Sequence, residues 1–345
     1  MANAVFSPKD FKAYVILEGA STAKNGNGFA SGEVNPNAPA ITADLLKLNV
    51  DSISFPSFNL NQAMEVRAGA GRVAKAVDFF HDNKNSVTEI SVSGVLSNTE
   101  GHNLLLKNIM GSTANTLAMA YNHTGSTGEY GQTSVDNATF TMVLASPDTT
   151  DGYNIVMRGC LCSNFVISAD MGDGGIYRFD ATITSGLLPI LTNAQTPAEA
   201  SGFVATPISL STASTKTVNS ATVIMQNFNV TIDSPVVYAG FSNTEGYKGF
   251  QSFARGAETS VTASSTVKLD SATRDMLNNF HAGTVDEAGS FTLTQGTSTN
   301  YSLAIARSAL TNVAYNEGDI MMLDVEMKAL AHTSAESVLA VTIAS

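Results

Sequence analysis

Apolar and polar residues alternate through Glu89-Ile90-Ser91-Val92-Ser93-Gly94-Val95 and through Thr139-Phe140-Thr141-Met142-Val143-Leu144, a period of two that predicts strands hiding one face. Similar runs predict strands at 161–169, 176–184, 222–232, 259–269, 290–294, 301–307 and 319–330. Two stretches change period. After Ser97 or Thr99, the residues Leu104, Leu105, Ile109 and Met110 fall on one helical stripe that would cover a side of a sheet. After Asp270 or Ser271, Met276, Leu277 and Phe280 do the same. Asp170-Met171-Gly172-Asp173-Gly174-Gly175 separates two predicted strands with hairpin-turn residues. It lacks the further oxygen ligands and distal Glu of a calcium loop. The predicted class is mainly β, with one short helix per domain.

These elements come in the same order twice. The first pass runs Phe58-Asn59-Leu60, a glycine-rich loop at 67–72, a strand at 87–95 and a helix ending Lys107-Asn108-Ile109-Met110-Gly111. The second runs Phe228-Asn229-Val230, a glycine-rich loop at 246–256, a strand at 260–269 and a helix ending Asn278-Asn279-Phe280-His281-Ala282-Gly283. A shorter likeness links Asn164-Phe165-Val166-Ile167-Ser168-Ala169-Asp170 to Asn227-Phe228-Asn229-Val230-Thr231-Ile232-Asp233. The pattern divides the chain into an arm at 1–50, a first domain at 51–186, a linker at 187–219 and a second domain at 220–345. The arm carries Asn25-Gly26-Asn27-Gly28 and Asn35-Pro36-Asn37, which are turn residues, and would either cross onto a neighbouring subunit or hang loose. Repeated units bury against one another the faces that a single unit leaves open.

Composition narrows the function. The chain has 345 residues, 43% of them hydrophobic and 14% charged, so it can bury a core, and Ser, Thr and Asn supply much of its polar surface. Its formal charge of −12 and the absence of any Lys/Arg run oppose gripping of nucleic acid. The first residues lack the basic-then-apolar pattern of a secretory signal, and no apolar run approaches the ~20 residues of a membrane helix. Cys160 and Cys162 lie two apart on one predicted strand, on the same face, and read as reduced core thiols. No catalytic cluster appears. Gly69-Ala70-Gly71-Arg72-Val73-Ala74 has the spacing of a loose dinucleotide fingerprint, but it lies among hairpins rather than in a parallel strand–helix–strand unit. His81, His102, His123, His281 and His332 are scattered, without metal-ligand spacing, and no nucleophile elbow is present. No enzyme activity, cofactor or metal is predicted.

Phe55-Pro56-Ser57-Phe58-Asn59-Leu60-Asn61-Gln62-Ala63-Met64-Glu65 with Gly69-Ala70-Gly71-Arg72 and the strand and helix to Gly111 resembles the tail tube proteins of long-tailed bacteriophages. Gly246-Tyr247-Lys248-Gly249-Phe250, Arg255-Gly256-Ala257-Glu258, the strand to Asp270, the helix to Gly283 and the late strand at 320–330 are similar to a second such domain. The resemblance implies two tandem sandwich or half-barrel domains that close into a ring barrel on oligomerisation, with rings stacking into the conduit for DNA ejection. Two tube domains per chain imply a trimeric, pseudo-hexameric ring, with a hexamer as the alternative. Arg67, Gly69, Gly71, Arg72, Tyr247, Phe250, Phe253 and Arg255 are then candidates for contacts between stacked rings. The implied partners are the protein itself, tape measure, terminator and distal tail proteins, and double-stranded DNA in passage, with no membrane partner. The implied place is the virion tail, assembled in the host cytoplasm. A baseplate hub or tail-completion protein with two tube domains is the alternative within tails; a β-rich carbohydrate-binding or adhesion protein is the alternative of another class.

Overall fold

A computed structural model of the chain describes residues 6–17, 45–57, 61–64, 76, 79–82, 87–97, 99–111, 116–120, 127–129, 139–148, 152–193, 196–197, 199, 207–241, 250–255, 258–283, 287–295, 301–331 and 337–343. The first half holds β1 (Lys12–Leu17), β2 (Leu46–Lys47), β3 (Ser52–Ile53), β4 (Asn61–Met64), β5 (Phe79–Asp82), β6 (Thr88–Val95), α1 (Glu100–Met110), β7 (Thr116–Ala120), β8 (Thr127–Glu129), β9 (Phe140–Ala145), β10 (Tyr153–Asp170), β11 (Arg178–Ser185) and β12 (Ile190–Asn193). The second holds β13 (Ala213–Val218), β14 (Ala221–Thr222), β15 (Met225–Asp233), β16 (Val236–Phe241), β17 (Phe250–Arg255), β18 (Ser260–Lys268), α2 (Arg274–His281), β19 (Glu287–Gln295), β20 (Tyr301–Glu317), β21 (Met321–Leu330) and β22 (Ser337–Ile343). The chain is mainly β, as the alternation predicts.

The pairings repeat as well as the elements. One sheet of the first half runs β2–β1–β9–β10–β12 and its counterpart runs β14–β13–β19–β20–β22. The other runs β3–β6–β11–β10, matched by β15–β18–β21–β20. β10 and β20, of 18 and 17 residues, belong to both sheets of their half. Each changes sheet through irregular backbone: Gly159 has φ 61°, and the ladders slip between Cys162 and Asn164 and between Leu310 and Asn312. An extra residue bends a strand and lets it leave one sheet for the other. The slips fall at the same point, so Asn164 and Asn312 are equivalent.

Several predicted boundaries move. The strand expected at 301–307 continues to Glu317, and the one at 161–169 begins at Tyr153. Pairing with β12 and β21, which no local pattern announces, extends them. The stretch read as an arm supplies β1 and β2, and the stretch read as a linker supplies β12 and β13. Both pair with strands of the cores expected at 51–186 and 220–345.

Thr99 caps α1 by accepting the His102 N–H, and Gly111, at φ 64°, ends it. The helix buries Leu104, Leu105, Leu106, Ile109 and Met110 over β10, β1 and β7. α2 starts later than expected, after Thr273, because the Asp270 carboxylate accepts the N–H groups of Ala272 and Thr273 in a turn that precedes the helix. The main core cluster runs through both halves, joining Phe140, Phe165 and Phe179 to Phe228, Phe291 and Leu323, and a smaller one gathers Tyr14, Ile16, Leu45 and Val143. Ladders β10–β15, β7–β22 and β8–β17 also cross between halves, so the described residues show no clear two-domain split. Among the described residues no ladder joins β3 to β20, and the described ladders close no barrel.

Candidate functional site

The sheet β3–β6–β11–β10–β15–β18–β21–β20 runs without a break through both halves, eight strands wide. Its alternation fixes two faces. Ile90, Val92, Phe165, Ile167, Phe179, Ala181, Phe228, Val230, Ala263 and Val325 turn into the core. The opposite face carries Ser91, Ser93, Thr182, Ser168, Asn229, Thr231, Thr262, Ser264, Asn312 and Asn316. Its carboxylates, Glu89, Asp170, Asp180, Asp233, Asp324 and Glu326, outnumber its cations, Arg178, Lys268, Arg307 and Lys328. Arg178 is held by Asp51 at 3.3 Å and Asp173 at 3.0 Å, and Lys328 by Glu258 at 2.7 Å.

Short polar groups on this face bond to one another, across strands and along them. Asp324 accepts the Thr266 hydroxyl at 2.6 Å and the Asn316 amide at 3.0 Å. Ser91 and Ser54 hydroxyls meet at 3.2 Å, and Thr231 donates to Asn229 at 3.1 Å. A hollow on the face is lined by Asn229, Thr231, Thr262, Ser264, Thr311 and Glu326. Nothing here resembles a reaction centre, and among the described residues no cluster of three His, Cys, Asp or Glu is placed to hold a metal ion.

The seam between the halves is built differently. β10 and β15 lie antiparallel with Asn164 opposite Asp233, Ile167 opposite Val230 and Asp170 opposite Asn227. The two similar phrases of the sequence are therefore neighbours across the seam; the strand equivalent to β10 in the repeat is β20. β16–β17 lies over the first half. Its Tyr238 hydroxyl meets Thr184 at 3.1 Å, and β17 pairs with β8. Arg255, buried at the end of β17, donates to the carbonyl oxygens of Cys162 at 2.7 Å, Ser234 at 3.2 Å and Asn108 at 2.9 Å, and to the Asn108 side chain at 3.1 Å. Asn108 also accepts the Cys162 N–H, at 2.8 Å. The guanidinium thus ties α1, β10 and the start of the β16 hairpin together. Burial lowers its pKa, and burial pushes the Cys162 thiol up to about 12 against the pull of Arg255.

Of the residues singled out for contacts between rings, Phe253 and Arg255 are buried within the chain. Phe250 pairs through its backbone with Phe241. Arg67, Gly69, Gly71, Arg72 and Tyr247 lie outside the described residues, as do His123 and the segment Phe58-Asn59-Leu60. Cys160 and Cys162 are buried thiols in no disulfide, as read from their spacing. His102 is a buried structural residue. The Asn49 N–H donates to its Nε2 at 3.2 Å, and its Nδ1 lies 3.0 Å from the Ser97 carbonyl oxygen and 3.3 Å from the Ser97 N–H. Burial lowers its pKa to about 4.

No curated protein matches the chain. A family model described as phage tail tube protein matches residues 22–329, which takes in both halves.

Proposed function

The chain belongs to the phage tail tube protein family, structural and non-catalytic components of the virion tail that assemble with copies of themselves, and from that premise we propose that three copies close into one ring of the tube. The carrying observation is the doubled ladder order joined by the β10–β15 seam. Each half contributes the same four strands to the long sheet, so the seam inside one chain is a finished joint between two tube units. Three chains then supply six units, and the ring has pseudo-sixfold symmetry. Closing the sheet around the ring removes its exposed edges, which are otherwise sites of uncontrolled strand addition.

In this reading the polar face lines the lumen through which DNA leaves the particle. Its short hydroxyl and amide side chains are bonded to one another, and its acid excess repels phosphate. Two of its cations, Arg178 and Lys328, already hold carboxylates. DNA therefore meets a wall with little to adhere to. The loops at 67–72 and 246–256 are the candidate contacts between stacked rings, although Phe253 and Arg255 of the second are buried within the chain. Tape measure, terminator and distal tail proteins would meet the ends of the stack, and assembly would take place in the host cytoplasm.

Electron microscopy of the purified protein tests this. Hollow tubes whose rings each contain three chains are the expected result. Particles that remain single compact copies, or single rings that cap without stacking, would overturn it, the latter in favour of a tail-completion role.

A further inference from the structure

The two ends of the long sheet are unlike the rest of it. At one end β20 beyond Ser308 bonds to β21 only, and at the other β3 bonds to β6 only, among the described residues. The exposed apolar side chains Tyr315, Ile320 and Met321, at 55%, 67% and 46% exposure, gather at the β20–β21 end. Tyr315 occupies the place that Ile167 fills in the first half, since both lie three residues past the equivalent asparagines Asn312 and Asn164. Ile167 is fully buried because β15 lies beside it. Tyr315 is bare because, among the described residues, nothing stands in the place of β15.

The missing strand has a counterpart at the other end. Ser52 and Ile53 face Ser93 and Val92 as Asn227 and Phe228 face Thr266 and Ser265, so β3 is the equivalent of β15. The Ser54 N–H is bonded to Ser91, at 2.9 Å, which turns the backbone N–H and C=O of Ile53 and Phe55 to the open side. Pro56, which has no N–H to give, falls at a position facing inward. The open edge is thus fit to accept a strand.

We propose that copies of this chain join through one defined pairing, with residues 313–317 of β20 antiparallel to residues 53–57 of the next copy, in the register of the internal β10–β15 seam. That register sets Tyr315 opposite Phe55, as Ile167 stands opposite Val230, and Asn316 opposite Ser54, as Ser168 stands opposite Asn229. Carried on, it brings Ile320 to Val50, which with Phe11 and Ile53 lines a hollow beside β3. Phe55 already packs edge-on against Phe11 with centroids 5.0 Å apart, so Tyr315 extends an existing aromatic cluster. The proposal rests on the ring reading above and adds to it the strands, the register and the side chains of the joint.

A disulfide reads the register directly. Ser54 and Asn316 form a non-hydrogen-bonded pair, with Cα atoms about 4.5 Å apart, within the span of a disulfide. Oxidising assembled Ser54→Cys/Asn316→Cys protein should yield covalent trimers that reductant returns to single chains. Ser54→Cys/Asn312→Cys, displaced by four residues or roughly 13 Å, should stay uncrosslinked. Cys160 and Cys162 are buried and remain out of the reaction. Tubes that form normally but crosslink only through the 54/312 pair, or through neither, would overturn the register and leave the ring standing. Absence of rings from the unsubstituted chain would overturn the ring reading itself, and covalent products running to six chains would replace three chains by six while keeping the joint. Independently, Tyr315→Asp should give a folded chain with an unchanged melting temperature and no tubes, with assembly restored by Tyr315→Phe. Normal tubes from Tyr315→Asp would also refute the joint.

Discussion

Replacing Arg255 with methionine tests whether one buried cation holds the two halves of the chain together. Methionine fills much of the same space but donates nothing, so the carbonyl oxygens of Cys162, Ser234 and Asn108 lose their donor. Each buried acceptor left without a partner costs about 1 kcal/mol or more, and imperfect filling of the site adds to that, which brings the total to roughly 4 kcal/mol. The unfolding entropy of a chain of this length is roughly 0.7 kcal/mol/K at the midpoint, so the melting temperature should fall by about 5–6 °C. Arg255→Lys keeps the charge on a single ammonium and should fall by about half as much. Thermal denaturation followed by circular dichroism gives both numbers. The same assay on Asn108→Ala and on the double variant should show coupling of about 1 kcal/mol or more, because the side chains share a bond. A melting temperature for Arg255→Met within 1 °C of the parent, or strict additivity with Asn108→Ala, would refute the reasoning.

Other outcomes follow from single positions. The pKa of His102 is depressed to about 4 in the fold against about 6.5 unfolded, so the neutral ring stabilises the protein above pH 6.5 and that contribution is lost as pH falls toward 4. By pH 4.5 the loss is about 2.5 kcal/mol, and the difference in stability between pH 7 and pH 4.5 should shrink by that amount in His102→Gln; an equal difference in both proteins would exclude it. A Cβ added at Gly94 would stand 2.5 Å from the Asn49 carbonyl oxygen and 2.9 Å from the Val50 Cα, both backbone atoms. Gly94→Ala should therefore cost about 1–3 kcal/mol in a urea titration, and an unchanged midpoint would contradict this packing. Lysine at Ser91, Asn229 and Thr262 together, all exposed on the polar face, should leave tubes intact but slow DNA release, with a stronger dependence on salt. Unchanged release from such particles would remove that face from the lumen.

How much was legible depended on whether a feature was local. The alternation around Ile90 and Val92, the Thr99 cap, the Gly111 stop and the turn at 170–175 rest on neighbours in sequence, and each appears where its residues put it. Arg255 misled. An arginine in a glycine-rich segment reads as surface because charges are seldom fully buried, yet here four oxygen acceptors from distant parts of the chain meet it. The likeness between 164–170 and 227–233 was visible, but its meaning was not. Similar phrases suggest equivalent places in a repeat, and only the ladder shows that these two strands lie side by side.

The sequence by itself determined the β class, the order of a strand followed by a helix in each half and the helices themselves, because period, capping and turn residues act within a few positions of the chain. Tertiary structure alone decided that β1, β12 and β13 belong to the sheets, that the halves share one core, and which strand edges remain open. Those outcomes depend on pairing between residues far apart, and a strand's alternation records which face is hidden while carrying no record of which strand will lie beside it.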